Sequence, residues 1–227
     1  MVACLSPLSI AAFSSFGIVS LCAHTIAYNI VPLVFMLPLG ILIGLTVRMG
    51  HLISEYPSHA KRLAAWCMLF TTLGLGTTVV GIMYLFRLSI IASFTDDDEV
   101  VRVALALWPH LCAYLWLLHV FGISQAILRA LGMQWRLALI TSTFLCLVTL
   151  PLVVYFSMVR GGGLVMLWTV FPICYAVMQA ILAAGYLTVN WEEYSAGLLE
   201  SLQMSHSSIR GFPVGVPTEE TALLAYT

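Results

Sequence analysis

The feature that most constrains this chain is a series of long stretches without charge. Residues 1–47 contain no Asp, Glu, Lys or Arg, and further uncharged apolar stretches follow at 63–86, 103–128, 137–159 and 164–189. Each is longer than the roughly 20 residues that a helix needs to cross the hydrocarbon core of a bilayer. Because backbone groups in lipid must be satisfied within the segment, the stretches predict transmembrane helices.

Composition agrees with this prediction and excludes several classes of function. Hydrophobic residues make up 61% of the chain and charged residues 8%, whereas soluble domains carry about 25% charged residues. The sequence has no HExxH, GxSxG or nucleotide-binding loop, which argues against an enzyme. With a net charge of −1 and no basic patch, nucleic acid is not expected as a partner. We expect an all-α, polytopic membrane helix bundle whose main partner is the lipid bilayer.

The cysteines do not indicate a metal or redox site. None forms a CxxC pair or a Cys/His cluster with metal-ligand spacing, and free cysteine packs as a small hydrophobe. All six lie in apolar stretches: Cys4, Cys22, Cys67, Cys112, Cys146 and Cys174. We therefore expect no metal site, no cofactor and no catalytic residue.

The uncharged N-terminal stretch is too long for one ordinary span. Small polar residues and glycine at Ser14–Gly17 favour a turn, which leaves a helix over about 18–47 and a stub over 1–13. The stub is too short to cross alone. It is either a re-entrant or tilted piece or, as we favour, the remnant of a helix whose first half is missing. These spans form one transmembrane bundle over residues 1–189.

The tail, residues 190–227, is rich in acidic and serine residues and carries Pro213 and Pro217. It has too little apolar surface to fold alone, so we expect it to be mostly disordered. Glu219 with Leu223 and Leu224 fits the acidic dileucine spacing [DE]xxxL[LI], which predicts a sorting signal in a eukaryotic host. A plain solvated tail is the alternative.

The distribution of basic residues predicts the orientation. Six of the nine Lys and Arg residues fall on the side of the tail and three on the other. Cytoplasmic loops carry the excess of Lys and Arg, so the tail is predicted to be cytoplasmic. The six are Arg48, Lys61, Arg62, Arg129, Arg136 and Arg210; the three are Arg87, Arg102 and Arg160.

A few polar and aromatic residues within the spans are candidates for substrate contacts. They are His24, Asn29, Tyr114, His119 and Gln125. Phe121 and Gln125 are four residues apart, so an aromatic ring lies next to the amide on a helix. A mixed aromatic and amide surface suits organic cations through cation–π contacts. For any single residue, plain packing is the alternative.

The first long span also contains a predicted break. Proline removes a backbone donor and clashes with the preceding turn, so Pro38 with Gly40 predicts an interrupted, flexible helix. The span is then expected to end near Val47, followed by a polar loop that reaches Lys61 and Arg62.

Several motifs resemble those of the multidrug and toxic compound extrusion (MATE) family. AHTIAYN at 23–29, PLG at 38–40, VRMG at 47–50 and AKR at 60–62 are similar to the eighth helix of that family and its exit.

Further motifs follow in the order that the resemblance requires. FTDDDEV at 94–100 resembles the loop between helices nine and ten, LRALG at 128–132 the end of helix ten, and WE at 191–192 the residues after helix twelve. The resemblance covers residues 10–192. It implies the second of two six-helix bundles, with most of helix seven missing, and a first bundle as the missing partner.

The resemblance implies a cation-coupled antiporter, driven by H⁺ or Na⁺, that exports organic and often cationic amphiphiles. Such a protein would lie in the plasma membrane or in an endosomal or vacuolar membrane. Many members have an aspartate where this chain has Leu118, next to His119, so no coupling acid is transferred. The alternative is a non-transporting membrane protein, either a truncated paralogue or a gene-model fragment, that needs a partner bundle.

Overall fold

The computed structural model describes residues 17–197 and Glu200, apart from the side chain of Ser54. The N-terminal stub at 1–13 and the dileucine at Leu223 and Leu224 lie outside the described residues. Six helices organise the described chain: α1 Ile18–Glu55, α2 Pro57–Leu85, α3 Arg87–Ala92, α4 Asp98–Ala130, α5 Gln134–Val159 and α6 Gly163–Leu187. A short helical segment at 191–197 follows.

The described residues contain five helices of membrane-spanning length, the number of crossings that the sequence predicts. All helices except the short α3 are long and apolar enough to span a bilayer. The described residues contain no strand, so the chain is an all-α, multi-pass membrane helix bundle. The orientation of the tail stays a prediction.

Helix α4 is the centre of the bundle. It packs against α1 along most of its length and against α6 on another side, and α2 also contacts it. Leu107, Leu111, Leu115 and Ile123 of α4 are each at most 1% exposed. In the first half of α1 most buried side chains are small or β-branched, including Ala23, Ala27 and Ile30, which favours close approach of neighbouring helices.

The predicted break at Pro38–Gly40 is wrong. Helix α1 continues through Pro32 and Pro38 without interruption. Each proline removes one backbone donor, whereas ending the helix in lipid would leave several backbone groups unpaired at a higher cost. The ring of Pro38 is accommodated because it packs against Gly122 of α4, which has no side chain. A Cβ added to Gly122 would lie 3.4 Å from the Cβ of Pro38.

The predicted loop after Val47 is also wrong. Helix α1 extends past Arg48 to Glu55, and only Tyr56 separates it from α2. Pro57 occupies the first turn of α2, where its missing N–H has no helical partner to lose. Lys61 and Arg62 therefore lie on a helix and not in a loop.

Helix α4 begins at Asp98, before the predicted start at residue 103, because its first turn is capped. The Asp97 carboxylate accepts a hydrogen bond from the backbone N–H of Glu99 at 2.9 Å, as an N-cap residue does. Asp98 and Glu99 lie in the first turn, where negative charge is favourable to the helix dipole.

Two of the long spans contain π-helical turns. These wide turns lie at Phe70–Gly76 of α2 and at Phe144–Thr149 and Tyr155–Val159 of α5. Threonine hydroxyls donate to carbonyls five residues earlier, Thr77 to Thr72 and Thr149 to Phe144, each at 3.3 Å. Such turns are frequent at functional sites, and hydropathy alone does not predict them.

Candidate functional site

A cluster of rings joins α1, α4 and α6 in the interior of the bundle. We call it the aromatic cluster. Its members are His24 and Tyr28 of α1, Tyr114 and Phe121 of α4, and Trp168, Phe171 and Tyr175 of α6. It is the largest set of mutually contacting aromatic side chains that the ring contacts of the described residues show.

Tyr114 is the hub of the aromatic cluster. Its ring centroid lies 4.9 Å from that of Tyr175, 6.0 Å from Phe171 and 6.1 Å from Trp168, and the interplanar angles are 80°, 61° and 78°. These edge-to-face arrangements are the ones that aromatic quadrupoles favour. Tyr114 is half-buried, and the other rings of the cluster hold it in place.

His24 brings α1 into the aromatic cluster. Its ring is 6% exposed, and its centroid lies 5.8 Å from Trp168 and 6.1 Å from Tyr28. His24 and Tyr28 are four residues apart and so share a face of α1. The indole Nε1 of Trp168 is buried and has no hydrogen-bond partner among the described residues.

The members on α6 were missed by the sequence interpretation. Trp168, Phe171 and Tyr175 are spaced three and four residues apart, so a helix places them on one face. This aromatic stripe was the available signal. It could not be distinguished from ordinary packing without knowing that the face meets Tyr114.

Two further predicted site residues lie outside the aromatic cluster. Asn29 is exposed on α1. The Gln125 side-chain oxygen accepts a hydrogen bond from Arg129 Nη2 at 2.9 Å, near the end of α4. The structure therefore brings His24 and Tyr114 together and leaves Asn29 and Gln125 apart from them.

His119 is the most buried of the predicted site residues, with 0% exposure. Its Nδ1 lies 2.8 Å from the Leu115 carbonyl oxygen, so Nδ1 carries the proton in this bond. Nε2 is buried with no partner among the described residues. The ring packs against the π-helical turn of α2, where a Cβ on Gly76 would lie 3.3 Å from His119 Cγ.

A buried polar contact connects α4 to α6 at residues that follow the members of the aromatic cluster on both helices. Gln179 Nε2 donates to Ser124 Oγ at 3.4 Å. The remaining Gln179 oxygen is buried and has no partner among the described residues. Amide and hydroxyl groups often connect membrane helices in this way.

The aromatic cluster offers ring faces that can recognise a ligand. No group of three or more His, Cys, Asp or Glu among the described residues could hold a metal ion. The acidic side chains on the described spans lie near helix ends, at Glu55, Asp98 and Glu99. What remains is a set of π faces in an apolar setting, which attracts an organic cation.

Comparison with known proteins identifies the family. The family model of MatE matches residues 1–156. Multidrug and toxin extrusion proteins 1 and 2 of Oryctolagus cuniculus are 26% and 23% identical to the chain, over 77% and 78% of its length and 31% and 29% of theirs. Multidrug resistance protein NorM of Aliivibrio fischeri is 29% identical over 41% of the chain and 20% of its own length.

The chain thus spans about a third or less of the length of these relatives in the matched regions. The match of the family model, in contrast, covers more than half of the chain. The chain therefore belongs to the MatE family, the multidrug and toxic compound extrusion family that its motifs resemble.

Proposed function

We propose that this chain forms one helix bundle of a secondary active transporter that exports organic, often cationic, compounds in exchange for H⁺ or Na⁺. Family membership supports this proposal, as do the names of the relatives, which refer to multidrug resistance and to multidrug and toxin extrusion. The second bundle that alternating access requires would be supplied from outside the described residues.

The observation that carries the substrate class is the aromatic cluster. Tyr114 is partly buried, and Trp168, Phe171 and Tyr175 pack edge to face around its ring. A desolvated cation over such a ring gains up to about 2 kcal/mol. We propose His24 and Tyr114 as the primary substrate contacts.

We propose Asn29, His119 and Gln125 as secondary candidates for a role in substrate binding. Asn29 is exposed on the same helix as His24 and would contact a substrate that extends towards a second bundle. Gln125 would do so only after releasing Arg129. His119 faces the π-helical turn of α2, so it would act on the conformation of α4 and not on the substrate directly.

Among the described residues, no carboxylate lies deep in a span as a ligand for a coupling ion. Intramembrane acids commonly carry protons or sodium through transporters, and the described spans hold carboxylates only near their ends. We therefore expect that the chain reconstituted by itself binds organic cations but does not accumulate them. This expectation separates the transporter proposal from the alternative, a non-transporting paralogue or fragment that depends on a partner bundle and binds no cation.

The test is equilibrium binding of ethidium to the purified chain in lipid nanodiscs. Tetraphenylphosphonium should displace the dye, whereas a neutral aromatic of the same size should displace it far less. Absence of saturable binding, or equal displacement by the neutral compound, would contradict the proposal. Gradient-driven dye uptake by liposomes containing only this chain would show that the coupling site lies within it.

We further propose that the tail is cytoplasmic and that the protein resides in the plasma membrane or in an endosomal or vacuolar membrane. The support is the excess of Lys and Arg on the tail side, as the positive-inside rule requires. A cysteine introduced at Ser205 should react with a membrane-impermeant maleimide only after the cells are permeabilised. Labelling in intact cells would place the tail outside.

A further inference from the structure

A groove runs along the membrane-facing side of the bundle between α2 and α6. It has a volume of about 560 Å³, and its floor is formed by α4. The walls are almost entirely apolar, with Ala65 and Met68 on α2 and Leu117 and Val120 on α4. The aromatic cluster does not contribute to it.

The two ends of the groove differ. Lys61 lies at the end where α2 begins, together with Leu187, the last residue of α6, and Trp191, which follows that helix. At the inner end the lining residues are Leu73 and Trp116. The groove thus has one cationic end and one end that is apolar apart from Thr72.

The length of the groove matches one leaflet of a bilayer. From Lys61 to Leu73 the α2 helix rises about 18 Å at 1.5 Å per residue. The hydrocarbon core is about 30 Å thick, so one leaflet accounts for about 15 Å of it. The groove is therefore about as long as one leaflet is thick, as a single acyl chain requires.

Charge at the outer end points to an anionic occupant. Lys61 is exposed and has no carboxylate within 4.0 Å among the described residues. Arg62 follows it on the same helix turn. Glu192 and Glu193 follow Trp191 in the chain, but neither forms an ion pair with Lys61 among the described residues, and Glu193 lines a separate cleft and accepts from Asn190.

We propose that this groove binds one anionic glycerophospholipid, with an acyl chain along Met68, Leu73 and Val120 and the phosphate at Lys61. Lys61 is a compact cation with three donors, which suits a phosphate. Trp191 and Tyr186 lie at the level of the headgroup, where aromatic residues are enriched in membrane proteins. The bound lipid fills the space between α2 and α6 that protein side chains leave open.

The test is native mass spectrometry of the 227-residue chain released from micelles to which phosphatidylglycerol or phosphatidylcholine of equal chain length was added. The unmodified chain should retain one phosphatidylglycerol in preference to phosphatidylcholine. Lys61→Gln should weaken retention of phosphatidylglycerol about fivefold, since one basic residue near an anionic headgroup contributes about that much.

Two variants keep the result interpretable. Ala65→Trp fills the groove without changing charge and should abolish retention of both lipids. Arg136→Gln removes a positive charge that lines the separate cleft and should leave retention unchanged. Equal retention of the two lipids, equal losses in Lys61→Gln and Arg136→Gln, or full retention in Ala65→Trp would each overturn the proposal.

Discussion

Helices α4 and α2 have equally apolar membrane windows but occupy different positions in the bundle. In the most apolar window of α4, 67% of the residues are buried, against 22% in α2, while the mean hydropathy of the two windows is the same. Lipid tails are as apolar as leucine, so an apolar side chain does not need to be inside the protein. Hydropathy therefore identifies a membrane helix but does not indicate its position in the bundle.

Buried polar residues show where each of the two helices meets protein. His119 and Ser124 of α4 are at most 1% exposed, and on α2 the buried polar residues Thr71 and Thr72 lie in its π-helical turn. A polar side chain in a membrane is costly unless it faces protein. Buried polar positions thus indicate where α2 meets the central helix.

The largest difference in stability between variants of α4 and of α2 should come from replacing one tryptophan in each helix. Trp108 of α4 is 2% exposed and donates to the Met83 carbonyl oxygen at 3.0 Å, whereas Trp66 of α2 is 60% exposed. Trp108→Ala should lower the free energy of unfolding by about 3–5 kcal/mol, and Trp66→Ala by less than about 1 kcal/mol. Reversible unfolding in mixed SDS micelles measures both. Similar losses would mean that α4 is not the centre of the bundle.

Two glycines of α2 sharpen the comparison within one helix. A Cβ on Gly76 would lie 3.2 Å from the Thr71 carbonyl oxygen and 3.3 Å from His119 Cγ, whereas nothing lies within 4 Å of a Cβ on Gly81. Gly76→Ala should destabilise the bundle by about 1–3 kcal/mol through overpacking. Gly81→Ala should stabilise it by up to about 1 kcal/mol through helix propensity. The same unfolding assay applies, and a change of the same sign in both variants would contradict the packing of the π-helical turn against α4.

The sequence predicted which parts of the chain cross the membrane better than where each helix ends. Gly17, where a turn was expected, has φ +89°, and α1 begins at the next residue. The charged Arg48 was expected to end that helix because charge leaves the hydrocarbon. An α-helix satisfies its own backbone in water as well, so α1 continues for several residues to Glu55.

The candidate site was predictable only in part. His24 and Tyr114 were selected as single residues, and they belong to the same cluster. Their partners on α6 were not selected, because the contact between helices depends on how α6 rotates against α4. The same limit applies to Pro38, whose effect on α1 depends on the space that Gly122 provides.

The affinity for ethidium should depend on residues in the interior of the bundle and much less on residues at its surface. Tyr114→Leu should weaken ethidium binding about tenfold, the order expected for loss of a cation–π contact. Asn29→Leu, on the exposed side of α1, should change it by less than about twofold if the cluster holds the ligand. Fluorescence titration in nanodiscs measures both affinities. A larger loss in Asn29→Leu would move the site from the cluster to the exposed surface of α1.

The smallest expected change in stability comes from replacing Gln179, which is more deeply buried than Gln125. Gln179 makes one buried hydrogen bond at 3.4 Å to Ser124, and its side-chain oxygen has no partner among the described residues. Interhelical hydrogen bonds in membranes average about 0.6 kcal/mol, while a buried unsatisfied acceptor costs about 1–3 kcal/mol. The second term exceeds the first, so Gln179→Met should leave the bundle equally stable or raise its free energy of unfolding by up to about 1 kcal/mol.

Gln125 is the matched control for this prediction, because it is half-buried and its oxygen accepts from Arg129 at 2.9 Å. Gln125→Met should cost less than about 0.5 kcal/mol, as an i,i+4 pair near the surface does. Opposite signs in the two variants would show that the buried amide is retained for something other than stability. The position of Gln179 between α4 and α6 then favours a role in how these helices move against each other. A clear loss of stability in Gln179→Met would instead mean that its oxygen is satisfied in the membrane, for example by a water molecule.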